Sequence, residues 1–356
     1  MRSKRHHVHI KSYGIMYKKV IVRLPNWIGD FVMATPVLTD LRRQFPTAEI
    51  TAMCPWPISD LLKQDPAIDE VFCFTRTDDF FAMKENTRNA IERLRAGKYD
   101  LGILLTNSFS SAWWFWQGGV RKRLGFAGNW RSMLLTDRME PPDIRSHQVD
   151  VYKHLLQPLG IPMSETAPRL FFSDQEAHDA MELLVERGYR PGHPLIGINP
   201  GAAYGTAKCW PPERFRALAL RFLQDPDAFV VFFGDAATQS LVKEICAGAP
   251  ERMINLAGDT TLRQLACLIQ HCDALVTNDS GPMHIGVALA APIVALFGST
   301  DDVATGPWGQ KGAVINKHVS CSPCFKRTCP SDFRCMNQIE VEEVALKTLE
   351  RMKTRV

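Results

Sequence analysis

Short apolar runs rich in β-branched residues alternate along the whole chain with longer stretches whose apolar positions recur at helical spacing. The first kind predicts buried strands and the second amphipathic helices, and their regular alternation predicts an α/β protein with parallel sheets. Strands are expected at residues 20–24, 49–53, 70–74 and 101–105, with helices such as 31–45 and 86–96 between them. A second series has strands at 195–199, 229–234, 253–256, 274–277 and 293–297, and helices at 212–223, 238–247, 262–271 and 281–290. Two such series predict two Rossmann-like domains facing one another. The break is expected within residues 164–174, where Pro168 and polar residues interrupt the pattern. The expected division is a disordered basic tail (1–16), a first domain (17–168), a second domain (169–340) and a C-terminal helix (341–356) that packs back on the first.

Composition narrows the picture further. A length of 356 residues suits two domains, and 46% hydrophobic with 22% charged residues is ordinary for a soluble globular protein. The net charge of +4 is too small to point to nucleic acid, though it leaves room for a local basic patch facing an acidic substrate. No apolar stretch approaches the length needed to span a bilayer. The basic segment before the first strand carries His6, His7 and His9 but lacks the apolar core of an export signal, and Met16 stands as an alternative start. Ten cysteines, six of them scattered singly, fit reduced thiols in the cytoplasm rather than a disulfide scaffold.

Ligands of paired doubly wound sheets bind beyond the carboxyl ends of the strands, so candidate chemistry is sought in the strand-to-helix loops. In Asn278-Asp279-Ser280-Gly281-Pro282-Met283-His284, cap-forming residues and a glycine precede an apolar helix. Such a start offers unpaired N–H groups and the positive end of the helix dipole to an anion. His284, in the first turn, is expected to stay neutral because the same dipole lowers an imidazole pKa. Pro25-Asn26-Trp27-Ile28-Gly29-Asp30 places an acid in the first turn of the first long helix. There the dipole should keep Asp30 ionised, either as a favourable first-turn acid or as a general base toward a substrate hydroxyl. In the loop 199–211, small residues surround Thr206 and Lys208 ahead of a proline-started helix, the composition expected around a phosphate. Asp235, after another buried strand, suits either a ribose hydroxyl or the cap of the next helix.

Other clusters are less specific. Arg121-Lys122-Arg123 and nearby Arg131 form a basic patch suited to a phosphorylated or carboxylated substrate, or simply to solvent. Trp113-Trp114-Phe115-Trp116 suits a buried helix better than a membrane interface. Cys321, Cys324, Cys329 and Cys335 offer one zinc-like pair spacing without a second C-x-x-C, so bound zinc and free thiols both remain open. The chain lacks G-x-x-x-x-G-K-[ST], and no G-x-G-x-x-G follows the first strand, which disfavours P-loop and nicotinamide chemistry.

Taken in order, these motifs resemble the lipopolysaccharide heptosyltransferases of glycosyltransferase family 9. The resemblance rests on Arg23-Leu24-Pro25-Asn26-Trp27-Ile28-Gly29-Asp30 with Met33-Ala34-Thr35-Pro36, then Asn199-Pro200-Gly201-Ala202 and Lys208-Cys209-Trp210-Pro211. It continues through Asn278–His284, Phe297-Gly298-Ser299-Thr300, Gly306-Pro307-Trp308 and the four clustered cysteines, covering nearly the whole chain from Met16. The Asn26–Asp30 loop and the cysteine cluster point to the type II branch.

The resemblance implies a GT-B fold with the active site between the domains. The donor would be ADP-L-glycero-β-D-manno-heptose, bound by Thr206, Asp235, Asp279, Ser280, Gly281 and His284. The acceptor would be heptosyl-Kdo-lipid A, met by Asn26, Trp27, Arg121 and Arg123. Asp30 would be the base of an inverting transfer to the first heptose, with Lys208 stabilising the departing ADP. No cofactor, catalytic metal or nucleic acid is implied, and contact with the cytoplasmic face of the inner membrane would be peripheral. Sister activities on Kdo or a later heptose, and a non-catalytic nucleotide-sugar binding protein, are the alternatives.

Overall fold

The computed structural model describes residues 17–142, 145–310 and 312–353. The basic tail with its three histidines, and the alternative start at Met16, lie outside these. Twelve strands form two six-stranded sheets among the described residues. The first holds β1 (Lys19–Arg23), β2 (Glu49–Pro55), β3 (Glu70–Phe74), β4 (Leu101–Leu104), β5 (Lys122–Phe126) and β6 (Asp137–Met139), in the order β3-β2-β1-β4-β5-β6. The second holds β7 (Leu195–Asn199), β8 (Phe229–Phe232), β9 (Met253–Asn255), β10 (Ala274–Asn278), β11 (Ile293–Phe297) and β12 (Val314–Asn316), in the order β12-β11-β10-β7-β8-β9. All pairings are parallel: Val20 lies opposite Ile50 and Leu101, and Leu275 opposite Gly197 and Ile293. Helices cover both faces of each sheet, which is why Val20, Ile21, Val22, Leu275 and Val276 are completely buried.

Each sheet repeats the same doubly wound order, and each reverses direction beside its first strand. The resulting crevices open beyond β1 and β4 in one half, and beyond β7 and β10 in the other. Three of the four motif loops read from the sequence, those after β1, β7 and β10, therefore lie at switch points. Strands β5, β6 and β12 lie outside the expected set. The first starts with two basic residues, and the other two are three-residue edge strands too short to show alternation. The tryptophan cluster falls in the helix Phe109–Gln117, where Ala112 and Phe115 are buried and Trp114 meets Phe74 edge-on at 5.5 Å.

One expectation is overturned. The last helix, Val341–Met352, packs on β10, β11 and the helix Pro212–Phe222 of the second half and does not return to the first. Val344, Ala345 and Thr348 fill the second core, and Glu342 pairs with Arg221 at 3.0 Å. The preceding turn is fixed by the buried Trp210 indole, which donates to the Ile339 carbonyl at 3.0 Å. The helix completes the cover of the second sheet, where its apolar stripe is buried.

Several contacts join the halves, among them Arg145 with Asp301 and His147 Nε2 with the Gly306 carbonyl at 2.9 Å. Away from the crevices, Arg263 of the helix Leu262–His271 donates to the Asp60 carbonyl at 2.9 Å and to the Phe171 carbonyl at 3.1 Å. It also pairs with Glu176 and holds that carboxyl down at about 2. Nearer the crevices, the helix Ile28–Gln44 crosses the helix Gly281–Ala288. A Cβ at Gly29 would lie 2.8 Å from His284 Cδ2, and one at Gly281 would lie 2.9 Å from Ile28 Cβ.

Gly29→Ala tests this seam. Alanine gains about 0.5–1 kcal/mol of helix preference. Overpacking against a buried ring costs about 1–3 kcal/mol, so the expected net effect is a lower Tm in calorimetry. An unchanged or higher Tm would show that the seam has slack.

Candidate functional site

Asp30 sits in the first turn of the helix Ile28–Gln44, at the mouth of the first crevice and facing the second half. Tyr152, from the helix Gln148–His154, donates its hydroxyl to Asp30 Oδ1 at 3.4 Å. Burial is the largest influence on Asp30 and raises its pKa. The Tyr152 hydrogen bond and the Lys208 charge act the other way, and Asp279 adds to the rise. The dipole argument predicted a lowered value. Removal from water outweighs it here, leaving a carboxylate poised for proton uptake.

The facing groups come from the second half. Lys208 ends the short helical turn Thr206–Lys208, and its Nζ lies 2.5 Å from Asp279 Oδ2. Thr300 donates to the same oxygen at 2.6 Å. Asp279 is thus a buried anchor for the lysine. Asn278 locks the phosphate-type loop to the end of β10: its Oδ1 accepts from Trp210 N at 3.0 Å, and its Nδ2 donates to the Pro200 carbonyl at 2.7 Å. Ser280 is the N-cap residue of the helix Gly281–Ala288, but its hydroxyl turns to Thr277 and Asn199 instead of capping. Of the first positions of that helix, Pro282 has no N–H and Met283 N donates to the Ser280 carbonyl at 3.2 Å, so the Gly281 N–H is what is left for another partner.

His284 is neutral, as expected, but chiefly through burial, which pushes its pKa down to about 4. Gly29 packs directly on its ring.

The remaining predicted residues separate clearly. Asn26 Oδ1 accepts from the buried Arg23 at 2.6 Å, while Trp27 beside it is 55% exposed at the crevice. Thr206 is exposed in the Lys208 turn. Asp235 caps its own loop, accepting from Thr238 N at 3.0 Å and Thr238 Oγ1 at 2.9 Å. Arg121 and Arg123 are not brought to the site. Arg121 pairs with Asp100 at the amino end of the sheet, and Arg123 donates to the carbonyls of Leu134 and Val120, each at 2.6 Å. Arg131, from the same patch, is fully buried beyond β4. It donates there to the carbonyls of Thr106 and Phe126 and to Asn107 Oδ1.

The four clustered cysteines line one cavity beside Gly298, Ser299 and Ala207. They are free thiols, and among the described residues no group of three His, Cys, Asp or Glu side chains is arranged to hold a metal ion.

Tyr152 was not legible in the sequence, since it reaches its carboxylate from a distant segment, while Thr300 stood in a motif of the family resemblance without an assigned role. A faint signal for Thr300 is its place just after a buried strand.

Known proteins resemble this chain in sequence and in fold. The sequence profile of glycosyltransferase family 9 (heptosyltransferase) matches residues 87–333. A lipopolysaccharide heptosyltransferase 2 of Escherichia coli K12 is 33% identical over 312 residues, covering 83% of this chain and 87% of the relative. The solved E. coli ADP-heptose lps heptosyltransferase II superposes with a TM-score of 0.79 at 30% identity, covering 94% of this chain and 98% of that one. The glycosyl transferase family 9 structure from Veillonella parvula superposes at 0.86 with 24% identity, covering 96% and 99%, and supports the fold.

Tyr152→Phe removes a hydrogen bond that favours the charged carboxylate, so the Asp30 pKa is expected to rise. Carboxyl NMR titration of the variant checks this; an unmoved or lowered Asp30 midpoint would contradict the pairing.

Proposed function

The chain belongs to glycosyltransferase family 9, the heptosyltransferases, with a GT-B fold, and from that premise we propose that it moves a heptose from ADP-heptose onto the first heptose of the lipopolysaccharide inner core. One observation supports the assignment of roles above the rest. Asp30 of the first half lies close enough to Lys208 and Asp279 of the second for both to act on its ionisation. A base and a leaving-group cation thus face each other across the seam.

In this reading Asp30 takes the proton from the acceptor hydroxyl as its oxygen attacks the anomeric carbon. The bond to ADP breaks on the opposite side, inverting the centre, and the proton remains on Asp30. Its raised pKa suits that task, because a base works best when its pKa lies near the working pH. The departing diphosphate gains charge, which Lys208 and the Gly281 N–H at the start of the helix Gly281–Ala288 stabilise. Thr206 and the loop after β7 enclose the phosphates, while Asn26 and Trp27 border the acceptor side. Asp279 acts through Lys208 by fixing its ammonium.

Contact with the membrane is peripheral in this proposal, made through the lipid acceptor and the basic N-terminal face at the cytoplasmic side of the inner membrane. Among the described residues no helix is long and apolar enough to cross a membrane. Flotation with vesicles carrying heptosyl-Kdo-lipid A is expected to bring part of the protein up with the lipid. Protein remaining wholly unbound would overturn the membrane contact.

The chemistry is tested by ADP release from ADP-heptose, with and without heptosyl-Kdo-lipid A. Wild type should release ADP only with acceptor, and Asp30→Asn should lower that rate about a hundred- to ten-thousand-fold. The acid limb of the wild-type profile should fall as pH drops through the raised Asp30 pKa, because the protonated acid cannot accept the proton. Release with Kdo-lipid A alone would reassign the acceptor within the family, and an undiminished Asp30→Asn rate would remove the base.

A further inference from the structure

Charge at the seam does not balance for the ligand proposed above. Asp30 and Asp279 bring two carboxylates to it, Lys208 brings one ammonium, and burial holds His284 neutral. The lysine is already committed to Asp279 at 2.5 Å. A nucleoside diphosphate would add further negative charge. The helix terminus at Gly281 offsets only about half a charge. A second cation must meet the phosphates if they are to bind tightly.

Among the described residues, Arg327 is placed to be that cation. It lies in the segment between β12 and the helix Arg334–Asn337, the segment that carries the clustered cysteines. Its guanidinium stands 5.5 Å from the centroid of the Tyr204 ring, and Lys208 Nζ stands 5.0 Å from the same centroid. Both cations are thus gathered around one ring in the phosphate-type loop. Unlike Lys208, Arg327 has no carboxylate partner at ion-pair distance among the described residues.

An exposed arginine in a loop is ordinarily a solvated one. Here the backbone around it is tied to the donor side at three points. Ala207 N donates to the Arg327 carbonyl at 3.0 Å, and the Tyr204 hydroxyl donates to the Phe325 carbonyl at 2.8 Å. The amides of Cys324 and Phe325 donate to the Ser299 carbonyl at 3.1 and 2.7 Å. Any side chain at Gly205 would run into the Arg327 carbonyl, so glycine is what lets the two loops approach. Lys326, one residue away, lines the cysteine cavity instead.

We propose that Arg327 is a donor-binding residue that, with Lys208, grips the diphosphate of the nucleotide sugar. The proposal rests on the reading of the donor as ADP-heptose. It also assigns work to the cysteine-bearing segment: it closes over the phosphate loop and delivers a guanidinium whose fork geometry suits phosphate oxygens.

The test is calorimetric titration of the full chain with ADP and, separately, with adenosine. Arg327→Gln is expected to weaken ADP about tenfold, the size of a lost charge-assisted hydrogen bond. Adenosine affinity should not change, and Arg327→Lys should recover part of the ADP affinity. Lys326→Gln should bind ADP as wild type does. Equal ADP affinity in wild type and Arg327→Gln would overturn the proposal. So would an equal loss for ADP and adenosine, which would indicate a displaced loop rather than a lost phosphate contact. Wild type that binds no ADP would instead refute the donor reading on which the proposal stands.

Discussion

The two halves meet where one helix carries glycine under a buried imidazole and the other carries glycine under an isoleucine. Gly29 lies against His284, and Gly281 lies against Ile28, so two helix starts from different sheets come together as closely as backbone allows. Each helix start carries part of the chemistry. Asp30 belongs to one, and Asp279, with its tethered Lys208, immediately precedes the other. The distance between proposed base and proposed leaving-group cation is therefore set by two missing side chains. Burial at the same seam accounts for both the raised pKa of Asp30 and the lowered pKa of His284, because each loses water when the helices meet.

Around this seam the loops are held mainly by hydrogen bonds to backbone. Arg23 is buried with its guanidinium on carbonyls and on Asn26, stacked 4.6 Å from the Phe74 ring, and no carboxylate pairs with it among the described residues. Arg131 does the same beyond β4. Burial lowers both guanidinium pKa values to about 10, yet both remain cations at neutral pH. Two buried guanidiniums thus sit at the carboxyl end of β1 and beyond β4 on carbonyl and amide oxygens alone, neither paired with a carboxylate among the described residues.

The strands with β-branched, fully buried sequences were legible, and so was the placing of motifs after β1, β7 and β10, since parallel sheets put such loops at one edge. What the sequence hides is which end of an element a charge occupies. Arg121 precedes β5 and so lies at the amino edge beside Asp100, a matter of strand bounds that a basic run does not reveal. Side-chain pairings across long separations were equally hidden: Tyr152 with Asp30, or Arg263 with the Asp60 carbonyl. The sign of the Asp30 shift failed for a related reason. A helix dipole can be read from local sequence, but desolvation depends on what the other half covers.

The last helix, which stays with the second sheet, bears on how the protein is made. Among the described residues the chain passes from one half to the other once, through the stretch where Ser164 and Thr166 bond the buried Asp40. The first sheet is complete at Met139 and takes no strand from later sequence, although the helices Gln148–His154 and Gly281–Ala288 pack on its helix Ile28–Gln44. During synthesis it can fold as a unit on the ribosome while the second half is still emerging, since domains generally fold as units from the N-terminal side. Had the final helix crossed back, the first half would have waited for the last residues of the chain.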